Sequence, residues 1–438
     1  MRVLITKYPP QVLHLESLIW RKGMETAQVQ SGEVKELALD GKWKTLLLLS
    51  LAVLMVMGLW FSASVALPVL TSAWQLDNSG QAWLTMSVQI GFVVGSLISA
   101  LLNLSDRFPS HRLFTISALL AALSTALIAG FVDSFAPAVV LRFFTGLFMV
   151  GVYPVGMKII ATWTRLDRGL GIGLLTGAIA VGSASPHLFF AIGGMHDWRL
   201  LLLLASAIAA LGGIIVALLV REGPYHIPPA RFNWKYAAEI FRQRELRLVN
   251  FGYLSHMWEL FAMWAWVASF LLASFQISGI DPAWASLTAF AVIGIGGLSC
   301  LLAGMLADRF GRTTITIVSL AISGACALLV GFLFGGSPIL LTAICLLWGF
   351  AVVADSAQFS AGVSELCQRE YTGTALTIQT SLGFLLTVVT VRLIPTLVGW
   401  VGWRWAFAFL AIGPALGIWA MYSLRSSPRA VKMAGGKK

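Results

Sequence analysis

Charge is scarce in this sequence. Asp, Glu, Lys and Arg make up 11% of its 438 residues, against about 25% in soluble domains. That shortage excludes an ordinary water-soluble fold, because a few hundred residues in water need a polar skin. Acid is scarcer than base, 19 residues against 30. No Gly-x-x-x-x-Gly-Lys loop occurs, so direct drive by nucleotide hydrolysis is not expected, and no His-Glu-x-x-His pair suggests a metalloprotease. Cysteine is nearly absent as well. Cys300, Cys326, Cys345 and Cys367 have neither zinc nor redox spacing, and they read as small apolar side chains. Nothing here calls for a metal or another cofactor, or for an enzyme.

Apolar length is what the chain has instead. Its mean hydropathy is +0.84. About 20 apolar residues in a helix cross roughly 30 Å of hydrocarbon, and twelve stretches meet that length. They run over 43–72, 80–104, 112–131, 135–162, 169–192 and 199–221, then 247–276, 282–306, 313–334, 338–363, 372–397 and 402–424. Turns rich in Asp, Gly, Pro and Ser separate them. The expected fold is an all-α integral membrane protein with twelve transmembrane helices in two pseudo-symmetric six-helix bundles.

The net charge of +11 does not imply nucleic acid, because its distribution orients helices. Placing the N-terminus in the cytoplasm puts 26 of the 30 Lys and Arg in inner loops and tails. Arg199 and Arg404 fall outside, while Arg142 and Arg392 lie within helices. This asymmetry predicts an inner (plasma) membrane protein with both termini cytoplasmic. The partners expected are the lipid bilayer, a small-molecule substrate and a coupling ion, with the protein a monomer.

Five regions follow. Residues 1–42 are polar, contain Pro9 and Pro10 and lack a cleavage-like site, so a disordered cytoplasmic tail is expected there, with Met24 an alternative start. Bundles at 43–221 and 247–424 flank a cytoplasmic loop at 222–246, punctuated by Pro224, Pro228 and Pro229, with room for a surface helix near 234–245. A basic cytoplasmic tail fills 425–438. The bundles echo each other. Asp106-Arg107-Phe108 and Asp308-Arg309-Phe310 lie 202 residues apart, and Trp198-Arg199 and Trp403-Arg404 lie 205 apart. With six helices per copy, the repeat axis stands along the membrane normal.

The loop Gly304-Met305-Leu306-Ala307-Asp308-Arg309-Phe310-Gly311-Arg312 resembles the inner-loop signature of the major facilitator superfamily, Gly-x-Leu-Ala-Asp-Arg-x-Gly-Arg. Arg142 with Gly146 and Gly151 is similar to that family's helix-4 signature. The resemblance implies a secondary carrier working by alternating access, with Asp308, Arg309, Gly311 and Arg312 latching the bundles on the inner side. The first-half copy, around Asp106 and Arg107, is degraded. Leu102 and Pro109 replace its glycines, so a latch role is expected more of Asp308 than of Asp106.

The resemblance also implies that helices 1, 4, 7 and 10 line a central cavity. Ionisable groups are costly in lipid and are functional candidates by default. Glu259 and Asp355 are the only two acids inside the predicted helices. Helical spacing aligns Gly252, His256, Glu259 and Met263 on helix 7. It aligns Trp348, Val352, Asp355 and Phe359 on helix 10 with Gln358 adjacent, and Arg142, Gly146, Met149 and Tyr153 on helix 4. Glu259 or Asp355 is a candidate proton carrier; the other reading is a fixed structural partner. Arg142 is either an anion contact or a structural arginine. Gln89 either faces the cavity or bonds across helices. Lys158 reads as snorkelling to the inner interface, and His187, after Pro186, as a packing or hydrogen-bonding histidine. Gly169, Gly173 and Gly177 on helix 5, with Gly296 and Gly297 on helix 8, offer smooth surfaces for close helix approach.

The function expected is therefore proton-coupled transport of a small solute, a small organic anion by preference. The alternatives are proton-driven efflux of amphipathic compounds and a non-transporting membrane sensor on the same scaffold.

Overall fold

The computed structural model describes residues 41–164, 168–193, 197–225, 241–368 and 372–437, with backbone alone at 106, 168, 169 and 193. Among the described residues, twelve helices are long and apolar enough to cross a membrane. They are α1 (Gly41–Val65), α2 (Asn78–Leu102), α3 (Ser110–Phe131), α4 (Phe135–Trp163), α5 (Leu170–Ile192) and α6 (Trp198–Leu219). The second half holds α7 (Arg244–Ile277), α8 (Pro282–Phe310), α9 (Arg312–Leu333), α10 (Pro338–Leu366), α11 (Thr372–Val401) and α12 (Trp403–Arg425). All twelve predicted segments are present. The expected tail at 1–42 lies outside the described residues apart from Gly41 and Lys42, and so does 226–240 of the central loop.

Local chemistry sets several helix starts. Asp77 accepts the Gly80 amide at 2.7 Å and caps α2. Asp197 takes the Arg199 amide at 2.9 Å at the start of α6. Asp281 takes the Ala283 amide at 2.7 Å, with Pro282 opening α8. Each satisfies a donor that the first helical turn leaves unpaired. Gly311, at φ +95°, turns the chain between α8 and α9, a conformation that side chains resist. α1 ends at Val65, short of the predicted end of its span at 72: after a turn at Ala66 a second helix covers Leu67–Trp74, with Pro68 in its first turn. Proline lacks the amide that would continue the ladder.

Helices α2 and α4, and α3 and α6, pack together in the first half; α7 with α12, and α9 with α10 and α12, do so in the second. Two broad seams join the halves, α2 on α11 and α5 on α8. Across the first, the Ser96 and Ser381 hydroxyls meet at 2.9 Å. At the second the backbones nearly touch: a Cβ added to Gly177 would stand 2.9 Å from the Gly297 carbonyl oxygen. Only glycine permits that approach. The outward faces expose large apolar side chains such as Leu51, Leu123, Phe131, Ile339 and Trp419, as expected of a surface solvated by lipid tails.

The basic C-terminal tail is ordered as a run of 3-10 turns at Pro428–Gly436 that buries Ala430 and Met433. It folds back under the second half. The Ser427 hydroxyl donates to Glu245 at 2.6 Å, the Ala434 amide to Glu365 at 3.1 Å and the Lys437 ammonium to the Asp308 carbonyl at 2.9 Å.

Candidate functional site

Two helices in corresponding positions of the halves are broken near their middles. α4 interrupts at Val150–Val152, between Phe135–Met149 and Tyr153–Trp163. α10 interrupts at Asp355, between Pro338–Ala354 and Ser356–Leu366. Gly151 and Pro154 account for the first break. Paired interruptions of this kind mark binding sites in membrane carriers, since irregular backbone at membrane depth needs a polar or wet surrounding.

A cavity of about 320 Å³ lies beside the α4 break, between the two halves. It extends from Asn103, Ser105 and Lys158, at the face where the basic loops gather, to Phe92, Val150 and Thr380 in the interior. α2, α4 and α11 supply most of the wall, with Ser360 from α10. Among the resemblance-implied lining helices only α4 and α10 contribute, and Tyr153 is the one expected coupling residue that reaches the cleft. The missed residues recur at helical spacing: Ser96 and Ser99 near the end of α2 with Asn103 just after it, and Thr374, Thr377 and Thr380 on α11.

Beyond Phe92 the halves close on an aromatic plug. Trp60, Phe92, Phe261 and Phe384 come from α1, α2, α7 and α11, two helices of each half. The Phe92–Phe384 centroids are 4.4 Å apart, Phe261–Phe384 5.0 Å, Trp60–Phe92 5.2 Å and Trp60–Phe384 5.3 Å. Such tilted contacts add to the apolar burial. The cleft is thus open toward the basic face and shut toward the other.

The predicted stripes on α7 and α10 face each other rather than the cleft. A Cβ on Gly252 would meet Phe359 at 2.7 Å. His256 Nδ1 stands 2.8 Å from Asp355 Oδ1, with both side chains buried. The contact is close but poorly aligned, and among the described residues His256 Nε2 and Asp355 Oδ1 have no hydrogen-bond partner. Glu259 is fully served: Trp348 Nε1 donates to it at 2.7 Å and the Ser323 hydroxyl at 2.9 Å. Met263 is buried on the same face. The two carboxylates therefore share one buried region but hold different stations in it. One is locked by two donors, and the other sits at a helix break beside an imidazole.

Arg142 is completely buried in the first half. It donates to the Trp60 carbonyl at 2.5 Å, the Leu59 carbonyl at 2.8 Å and the Leu84 carbonyl at 3.3 Å. Its guanidinium ties α4 to α1 and α2 and does not line the cleft. Gly146, on the same stripe, lets α4 approach α2, where an added Cβ would fall 2.0 Å from the Val88 carbonyl oxygen. Gln89 is buried, with both amide atoms lacking a partner among the described residues. His187 is buried in the same condition. Lys158 reaches the cleft wall, where its ammonium donates to the Ser105 carbonyl.

At the basic face, Arg312 grips Glu365 bidentately, at 2.8 and 2.6 Å, and donates to Gln358 at 2.8 Å. Asp308 lies 3.6 Å from Arg312, and the Arg309 guanidinium rests 5.3 Å from the Phe310 ring centroid. These contacts all stay within the second half, so in this conformation they brace α8, α9 and α10. Arg107 ends the short helix Leu104–Arg107 of the first-half copy; the side chain of Asp106 lies outside the description. Glu222, just after α6, accepts the Ser110 amide at 2.7 Å at the start of α3. Partial burial would push its carboxyl up, but the Ser110 hydrogen bonds, helped by Lys158 and His111, hold it below the ordinary carboxylate value.

A sequence model described as Major Facilitator Superfamily matches residues 49–391 and 249–438. No curated protein sequence matches the chain. Among solved structures, the crystal structure of a D-xylose–proton symporter is 18% identical with a TM-score of 0.70, covering 88% of this chain and 98% of that one. A bacterial homologue of the human lysosomal transporter Spinster, inward-facing and unoccupied, is 14% identical with a TM-score of 0.67, covering 88% and 99%. The nucleoside transporter NupG, solved as a point mutant, is 15% identical with a TM-score of 0.66, covering 87% and 99%. At these identities the likeness is one of fold.

Proposed function

The chain belongs to the major facilitator superfamily, and on that premise we propose that it carries a small organic anion across the inner membrane by alternating access, driven by protons. Secondary transport as such rests on the family and on neighbours that are themselves transporters. The observation that carries the finer reading is the cleft: a 320 Å³ cavity between the halves, beside the α4 break, open to one face and plugged by aromatics toward the other. The basic face is cytoplasmic in this reading, both termini lie there, and the conformation is the inward-open one. The halves rock about the α2–α11 and α5–α8 seams. The working unit is a monomer in a lipid bilayer.

His256 and Asp355 are the proton site in this proposal. Their unsatisfied nitrogen and oxygen lie at the α10 break, where a change of protonation can bias the angle of the inner half-helix. Glu259, held by Trp348 and Ser323, is the fixed partner. In proteoliposomes, Asp355→Asn and His256→Gln are expected to retain solute exchange and lose gradient-driven accumulation, whereas Glu259→Gln keeps both. Uncoupling by Glu259→Gln alone would reverse the assignment, and accumulation indifferent to an uncoupler would dismiss proton drive. The apolar share of the wall, with Phe92, Val150, Met157 and Leu376, favours a second reading, efflux of amphipathic compounds. Flux of lipophilic cations in the same vesicles would establish it.

A further inference from the structure

The tail after α12 is anchored to three helices of the second half at once. Ser427 donates to Glu245 at 2.6 Å in the first turn of α7, and Arg429 comes within 3.8 Å of the same carboxylate. The Ala434 amide donates to Glu365 at 3.1 Å, close to the end of α10. The Lys437 ammonium donates to the Asp308 carbonyl at 2.9 Å, close to the end of α8. Between these bonds Ala430 and Met433 are fully buried. Met433 sits where α7 meets α10: a Cβ added to Gly362 would stand 3.5 Å from Val249 and 3.7 Å from the Met433 sulfur. Chain ends stay loose unless something ties them down, and here an apolar seat with polar anchors around it does so.

The anchors differ in what lies behind them. α7 is unbroken from Arg244 to Ile277, whereas α10 breaks at Asp355 and its inner piece, Ser356–Leu366, carries both Gly362 and Glu365. A swing of that piece against α7 pulls on the tail. Either the Glu365 bond and the Met433 seat are lost, or the tail follows α10 and leaves Glu245. Both outcomes expose apolar surface or take a donor from a charged acceptor, and both are unfavourable. Arg312 also holds Glu365, so the tail adds to an existing grip. The first half repeats the arrangement. After α6 the chain turns back onto the inner piece of the broken α4. There the Gly223 amide donates to the Thr162 hydroxyl at 2.8 Å, the Tyr225 amide to the Thr162 carbonyl at 3.1 Å and the Trp163 indole to the Arg221 carbonyl at 2.9 Å. In each half the chain that leaves the last helix grips the inner piece of the helix that breaks.

We propose that residues 427–437 are a strap that fixes the angle of the inner α10 piece and so holds the cleft open toward the basic face. Freeing the strap lets α10 swing and shifts the protein toward the conformation closed on that face. The strap rests on the carrier reading above and adds a point of control to it.

Two readouts on the full-length protein test it: amide hydrogen exchange over Ser356–Leu366, and alkylation of Ser99→Cys in the cleft by N-ethylmaleimide, followed at residue 99 by mass spectrometry. Met433→Asp puts a charge in the apolar seat. It should speed exchange at least about five-fold and slow alkylation at least about five-fold. A synthetic peptide of residues 427–438, added in excess, should return both to within about two-fold of the parent. Met433→Leu keeps the seat and both parent values. The double variant Ser427→Ala, Lys437→Met spares the seat and should move both readouts in the same direction, by at least about two-fold. A shift that the peptide does not reverse and the double variant does not reproduce is a folding defect and overturns the proposal. Unchanged exchange overturns it too, as does unchanged or faster alkylation; the last would make the tail a cover over the cleft. Gly177→Val, which loads the α5–α8 seam and not the tail, separates this failure from that of the carrier reading. Alkylation that slows in Gly177→Val alone sinks the strap and spares the carrier. One constant rate in every variant sinks both.

Discussion

Arg142 divides two chemistries that the sequence left level, and substitution separates them by sign. Its three donated bonds, two of them at 2.5 and 2.8 Å and the third at 3.3 Å, all go to main-chain carbonyls. Hydrogen bonds from a charged donor contribute about 1.5–3 kcal/mol each, so the two short ones amount to a gross stabilisation of roughly 3–6 kcal/mol. Burying the cation costs several kcal/mol against that. Arg142→Met removes both quantities together, and the carbonyls it frees are helical ones with a second partner of their own. The net loss expected is about 1–3 kcal/mol. Arg142→Lys is worse. It keeps the buried charge, but an ammonium on a shorter stem cannot span carbonyls on both α1 and α2. An under-paired buried charge costs about 3–5 kcal/mol. The melting temperature of the full-length protein in detergent should therefore fall from wild type to Arg142→Met to Arg142→Lys, with the first step roughly 2–6 °C. An anion contact predicts the reverse order of the two variants, because lysine preserves the sign that such a contact needs. Arg142→Lys melting with wild type would refute the clamp.

Two further outcomes follow from single contacts. Gly177→Val forces a branched side chain against the Gly297 carbonyl, where even a Cβ stands at 2.9 Å. Overpacking of about 1–3 kcal/mol falls on this conformation, so alkylation of a single cysteine introduced at Ser99 in the cleft should slow at least about five-fold; an unchanged rate in well-folded protein would contradict the seam. Glu222→Gln loses the charged cap on α3. Because the folded carboxyl is held below its ordinary value of 4.5, its contribution is present above that pH and fades as pH falls through the lower folded value. The side chain is exposed, so the gap to wild type at pH 7 should be small, about 0.5–1 kcal/mol, and it should narrow below pH 4.5; a gap that widens in acid would reverse the argument.

The sequence by itself determined the solvent of this protein, the number of its helices and the relation of its halves. Those follow from quantities that add up along a chain: apolar length against bilayer thickness, and a pair of short motifs repeated some 200 residues apart. It also marked the residues worth asking about, since charge in an apolar helix is conspicuous wherever it points. Where each one points was decided by tertiary structure. The stripes on helices 7 and 10 were correctly drawn, yet a helical stripe has no label for the neighbour it meets, and these two meet each other. Arg142 looked the same on paper as a substrate anchor or as a clamp until α1 and α2 brought their carbonyls within 3.3 Å. The cleft itself is lined by serines and threonines that drew no notice, because a hydroxyl in a membrane helix can bond to its own backbone at little cost. Only the meeting of α2 with α11 across the halves turned them into a wall.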